Sequence, residues 1–101
     1  MKERILTVDD MVVDRKGYRA FLQDTTKVYL TQKEYDLLVT LFLFRGMTLS
    51  REKLLSMVWQ YSFAGGTRTV DVHVGQLRKK LGLKERIRTV RGVGYRFEPN
   101  P

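Results

Sequence analysis

Before Leu30 the chain carries short apolar runs without helical period, and after it apolar positions recur at helical spacing. Ile5 to Val8, Met11 to Arg15, Tyr18 to Gln23 and Val28 to Leu30 are rich in β-branched and aromatic residues. Such residues favour extended backbone because they pack well on a pleated surface. Asp9-Asp10, Arg15-Lys16-Gly17 and Asp24-Thr25-Thr26 separate the runs with turn-forming residues. The spacing predicts a four-stranded antiparallel meander.

Three helices are predicted next. Thr31 and Glu34 form a capping-box pair, in which hydroxyl and carboxylate each satisfy an orphan amide at a helix start. The helix runs to Arg45 with Tyr35, Leu38, Leu41 and Phe42 on one stripe, and Gly46 stops it. Ser50 caps a second helix built on Leu54, Leu55, Val58 and Trp59. Gln60 to Gly66 is a loop. The third helix begins near Thr67 and runs to Leu81, ending at Gly82. Ile87 to Val90 and Tyr95 to Glu98 then flank Arg91-Gly92-Val93-Gly94, the pattern of a β-hairpin.

At 3.6 residues per turn, Val70, Val74, Leu77 and Leu81 fall on one stripe of the third helix, the side that packs on a core. Arg68, Val72, Gly75, Gln76 and Lys79 gather opposite, with His73, Arg78 and Lys80 on the flanks. An outer face that is short, methyl-tipped or amide-bearing and bordered by cations suits the major groove of B-DNA. The Gln76 amide can donate to and accept from adenine, and Val72 can meet a thymine methyl. Gly75 permits close backbone approach at a helix cost of about 1 kcal/mol relative to alanine. Arg68, Arg78 and Lys79 are expected to hold phosphates, which set register without reading sequence. The plainer alternative is an ordinary amphipathic surface helix, although such helices carry more Glu opposite the core stripe.

Charge strengthens the nucleic-acid reading. The net charge is +8, and residues 67 to 101, with nine Lys/Arg against three Asp/Glu, carry +6 of it. Segregated positive charge answers to a polyanionic partner. Arg91 at the glycine-rich hairpin tip is placed to enter a minor groove, where negative potential concentrates. A buried core role is the simpler reading of Trp59, and an indole N–H on a phosphate the sharper one.

Composition excludes several other classes. Leu, Ile, Val and Phe number 31, enough for one core in a chain of 101 residues, so a single domain is expected. No cysteine is present, which removes disulfide scaffolds, thiolate metal sites and cysteine nucleophiles. The longest apolar stretch, Leu37 to Phe44, is far short of the roughly 20 residues of a membrane span, so the chain does not read as crossing a bilayer. No membrane partner is expected, although charge by itself does not separate nucleic acid from an anionic membrane surface. Asp9, Asp10 and Asp14 break any secretory signal, making a cytoplasmic location the default. His73 stands alone without a second metal ligand, so it reads as a phosphate donor or a packed flank residue, and neither a metal nor another cofactor is expected. Asp71 reads as a carboxylate favoured by the helix dipole or as a group orienting Arg68. No nucleophile–base pair or strand-to-helix phosphate loop appears, so the chain does not read as an enzyme.

The run Thr67-Arg-Thr-Val-Asp-Val-His-Val74, then Leu77-Arg-Lys-Lys-Leu81 and Thr89-Val-Arg-Gly-Val-Gly-Tyr-Arg-Phe97, closely resembles the OmpR/PhoB family. Leu30-Thr-Gln-Lys-Glu-Tyr-Asp-Leu-Leu38 and Arg51-Glu-Lys-Leu-Leu55 with Val58-Trp59 are similar to the first two helices of that family. The resemblance covers roughly Leu6 to Glu98. It implies an α+β winged helix-turn-helix: an N-terminal four-stranded antiparallel sheet, three helices and a C-terminal β-hairpin wing.

What it implies for function is the winged-helix effector domain of a two-component response regulator, binding double-stranded DNA sequence-specifically to regulate transcription. The third helix would be the recognition helix, presenting Arg68, Thr69, Val72, His73, Gly75, Gln76, Arg78 and Lys79. Arg68, His73 and Arg78 match phosphate-contacting positions. Thr89 and Arg91 would be wing contacts, and Trp59 matches a position that touches the DNA backbone. The loop Gln60, Tyr61, Ser62, Phe63, Ala64, Gly65 and Gly66 matches the segment that contacts RNA polymerase. Paired head-to-tail binding as a homodimer on direct repeats is also implied. The receiver domain that answers a sensor histidine kinase is absent from these 101 residues, so an excised effector domain is expected. The chain departs from the family at Gly75 and Gln76, where basic or hydroxyl residues are common. On the residues alone, a protein-interaction module and an RNA-binding domain stay open, the latter disfavoured because the aromatics sit at core-facing spacing.

Overall fold

The computed structural model describes residues 5–8, 11–14, 17, 19–21, 27–60 and 66–99. Four short strands come first: β1 (Ile5–Val8), β2 (Met11–Asp14), β3 (Arg19–Phe21) and β4 (Lys27–Tyr29). They pair antiparallel in the order β1-β2-β3-β4, the meander that the turn residues predict. Met11, Val13 and Ala20 are buried, so the alternation of β2 points one face inward.

Helix α1 (Gln32–Leu43) starts at the expected capping box. The Glu34 N–H donates to Thr31 Oγ1 at 3.1 Å, and the Thr31 N–H donates to Glu34 Oε1 at 2.9 Å. Burial extends beyond the predicted stripe to Glu34, Leu37 and Val39, because α1 packs against α3 (Arg68–Leu81), the turn Leu55–Trp59 and the last strand, Gly94–Phe97. Lys80 of α3 reaches back and places Nζ 2.6 Å from Glu34 Oε1. One carboxylate therefore both caps α1 and ties it to α3.

Helix α1 ends at Leu43 with Phe44 as its C-cap instead of running to Arg45, and two further elements differ from the sequence reading. Thr48–Ser50 forms β5, which pairs with β7 (Gly94–Phe97), so the expected hairpin of β6 (Ile87–Val90) and β7 is part of a three-stranded sheet ordered β5-β7-β6. The second helix is α-helical only as α2 (Arg51–Leu54) and continues as a π-helical turn over Leu55–Trp59. Ser50 caps it as predicted, accepting the Lys53 N–H at 3.0 Å, and the Lys33 ammonium closes its end on the Val58 carbonyl at 3.0 Å. No helix among the described residues is long and apolar enough to cross a membrane.

Candidate nucleic-acid interface

The stripe predicted for α3 is the one observed: Val70, Val74, Leu77 and Leu81 are buried. Arg68, Val72, Gly75, Gln76 and Lys79 are exposed together on the other side. Val72 is 54% exposed, its methyl groups directed outward with the polar residues of this face. Gly75 has open space where a Cβ would stand, so no packing within the described residues requires glycine there. Gly82 ends the helix in the left-handed conformation, its N–H donating to the Arg78 carbonyl at 3.0 Å.

Most cations of the basic C-terminal third have partners. Lys80 pairs with Glu34, Arg88 and Arg96 pair with Glu98, and the Arg86 guanidinium lies over the Phe97 ring. Arg68, Lys79, Lys84 and Arg91 make no hydrogen bond or ion pair among the described residues. Three of these lie on the outer face of α3 and at the wing tip. The Gln76 amide is likewise uncommitted and exposed.

Arg78 joins helix to wing. Its Nε and Nη2 donate to the Ile87 carbonyl at 3.1 and 2.7 Å, and Nη2 also donates to Thr89 Oγ1 at 2.9 Å. Two of the nominated contact residues are thus brought together, with Nη1 left as a donor. The guanidinium also satisfies a carbonyl on β6, the outer strand of its sheet, where an unpaired edge would invite another chain. The tip of the wing is the turn Arg91-Gly92-Val93, closed by the Val93 N–H on the Val90 carbonyl at 2.9 Å. Gly94 belongs to β7 rather than to the turn, and Val93 stands 49% exposed beside Arg91.

His73 and Trp59 meet. The rings are T-shaped at 4.8 Å between centroids, and Trp59 is 8% exposed. His73 Nδ1 lies 2.8 Å from the Thr69 carbonyl oxygen, which can only accept, so Nδ1 carries a proton. Nε2 is the ring nitrogen that makes no hydrogen bond among the described residues. Thr69 is half-buried beside it. Of the loop after Trp59, Gln60 and Gly66 are exposed, whereas Tyr61, Ser62, Phe63, Ala64 and Gly65 lie outside the described residues.

Asp71 is the acidic residue of the first turn of α3, as one of its two readings expects, and only the reading that it orients Arg68 needs correction. Its carboxylate accepts from Arg51 Nε at 2.7 Å and from the Tyr95 hydroxyl at 2.5 Å, and it makes no hydrogen bond to Arg68. Burial pushes this carboxyl up, yet the Tyr95 hydroxyl and the Arg51 guanidinium outweigh burial and hold it below the ordinary carboxylate range. Burial, and then the Asp71 carboxylate, push the Tyr95 hydroxyl above its ordinary value. Arg51 and Tyr95 escaped the sequence reading. The available signal was general: a buried tyrosine hydroxyl needs a partner, and Asp71 is the one carboxylate in α3.

Comparison with known proteins agrees with this geometry. The family model described as transcriptional regulatory protein, C terminal, matches residues 25–97. The Bacillus subtilis transcriptional regulatory protein ResD is 44% identical over 101 residues, an alignment that covers 95% of this chain and 42% of ResD. The chain thus spans less than half the length of that relative. The DNA-binding domain of Bacillus subtilis CssR superposes with a TM-score of 0.80 at 32% identity, covering 86% of this chain and 98% of that one. The Klebsiella pneumoniae RstA DNA-binding domain, solved in complex with RstA box, superposes with a TM-score of 0.80 at 29% identity, covering 97% and 100%.

Proposed function

The chain belongs to the C-terminal family of transcriptional regulatory proteins, the winged-helix effector domains of OmpR/PhoB-type response regulators, and from that premise we propose that it binds double-stranded DNA sequence-specifically to regulate transcription. The observation that carries this is the sorting of charge. Arg68 and Lys79 on the outer face of α3 and Arg91 at the wing tip make no hydrogen bond or ion pair among the described residues and turn outward together.

In this reading α3 enters the major groove and the wing the adjacent minor groove. Gln76 and Val72 read base edges. Gly75 lets the helix backbone approach the duplex. Arg68, Thr69, His73, Arg78 and Lys79 position the helix on phosphates. Thr89 shares the Arg78 phosphate site from the wing side, and Arg91 enters the minor groove with Val93 beside it. Buried Trp59 acts mainly by supporting the His73 ring, and its indole edge is the candidate backbone contact.

Family membership supports a reading of the wider partners as well. The 101 residues act as one winged-helix domain in the cytoplasm. Two copies occupy direct repeats head to tail. The loop Gln60–Gly66 contacts RNA polymerase, and a receiver domain elsewhere in the regulator links the domain to a sensor histidine kinase.

Titration of a duplex pool against salt tests the central reading. About five neutralised phosphates give a slope of roughly −4.5 in log–log form. A flat salt dependence, or equal affinity for every duplex, would overturn it.

A further inference from the structure

Tyr95 sits where three elements meet. It lies on β7, is 4% exposed, and is paired across the sheet with Thr89 on β6 and with Leu49 on β5. Its hydroxyl donates to Asp71 in the first turn of α3. The guanidinium carbons of Arg51 and Arg78 lie 5.3 and 5.6 Å from the centre of its ring, within cation–π range. Arg51 closes the circuit by donating to the same Asp71 oxygen at 2.7 Å.

Helix α3 is therefore fastened to the wing sheet twice. Asp71 holds it at the first turn through Tyr95, and Arg78 holds it near the last turn through Ile87 and Thr89. Seven residues separate the two fasteners, a span of about 10 Å along the axis. A single fastener leaves a helix free to swing about it, whereas two separated ones fix both its tilt and its position along the sheet.

We infer that Tyr95 is a positioning residue that, with Asp71 and Arg51, sets the register between what α3 reads in the major groove and what Arg91 reads in the minor groove. The inference rests on the groove assignment proposed above. It adds that the two readings are made at one fixed separation along the duplex, and that no atom of Tyr95 need touch DNA for this.

The test uses duplexes in which an A·T tract is moved one base pair at a time relative to the preferred major-groove sequence. Wild-type affinity is expected to fall about tenfold for a one-pair shift, comparable to the loss from one mismatched pair. Tyr95→Phe keeps the ring and removes the Asp71 bond, and Asp71→Asn weakens the same fastener from the other side. Either variant is expected to cut the one-pair penalty to about threefold or less, a coupling effect that lost stability alone does not produce. Thermal melting identifies which variants fold, and Arg78→Lys tests the second fastener should both others fail. Folded variants that keep the wild-type spacing penalty would overturn the inference while leaving DNA binding intact. A wild-type chain that binds duplex without regard to tract position would instead overturn the minor-groove assignment, and this inference with it.

Discussion

Strand β7 passes so close to β5 at Gly94 that a Cβ there would collide with the carbonyl oxygen of Leu49. The neighbouring backbone of Ser50, paired directly with Gly94, offers no room to retreat. Gly94 is thus required by the strand pairing that holds the wing to the helices, not by turn conformation. Gly94→Ala is expected to destabilise the fold by about 2–4 kcal/mol, since backbone must shift to relieve the overlap. Gly92 at the tip has φ +75° and open space around it, so Gly92→Ala is expected to cost about 1–2 kcal/mol, the left-handed penalty alone. Thermal unfolding of the two variants side by side checks the order; a reversed order would remove the steric argument.

Gly75 predicts the opposite sign. It sits in the interior of α3 with nothing near its missing Cβ. Gly75→Ala is expected to raise stability by about 1 kcal/mol, the ordinary difference in helix propensity. If the backbone there approaches a duplex, the added methyl weakens binding at the same time. Denaturant melts and duplex titrations on one variant read both quantities. A variant that is more stable and binds DNA unchanged would show that close approach at Gly75 is not part of recognition.

Gly75 and Gly94 mark where the sequence was legible and where it was not. The α3 stripe was readable because Val70, Val74, Leu77 and Leu81 sit within one helix, where the period alone decides which side is buried. The caps at Thr31 and Ser50 were readable because capping chemistry spans three residues. Strand β5 was not, because Thr48–Ser50 has no pattern of its own and earns its conformation from β7, more than forty positions away. The role of Gly94 was hidden with it. The π turn at Leu55–Trp59 was hidden because one residue of extra winding leaves the apolar spacing nearly helical. For the candidate site, the outward face of α3 followed from the period, while the Asp71–Tyr95 contact joins elements that only the fold brings together.

The Asp71–Tyr95 pair makes stability depend on pH at both extremes. Asp71 is held below its ordinary value of 3.8, so its contribution is full above that value and is lost as pH falls through the lower folded one. Tyr95 is held above its ordinary value of 10.0, so its contribution is full below 10.0 and is lost as pH rises through the higher folded value. Wild-type protein is expected to exceed Tyr95→Phe in stability across the neutral range and to converge with it toward acid and alkali. Chemical denaturation from pH 3 upward measures the gap. A gap that stays constant through both windows would mean that the hydroxyl–carboxylate bond does not contribute to stability in solution.

Gln76 and Arg91 separate direct reading from shape reading. Gln76 is exposed on α3 with its amide uncommitted, and Arg91 stands at a turn that carries it away from the sheet. A bidentate amide on adenine discriminates by about 1–3 kcal/mol, so Gln76→Ala is expected to relax preference at one base pair while leaving the salt slope unchanged. Arg91→Ala removes a cation drawn to a narrow groove, so its loss is expected to be greatest on A·T-rich flanks and to lower the salt slope by about one. Selection of bound duplexes from a random pool, run for each variant at stated salt, reads both effects together. If Gln76→Ala leaves every base preference in place, recognition rests on Val72 and the shape of the groove, and the major-groove code assigned to this helix has to be redrawn around the methyl groups.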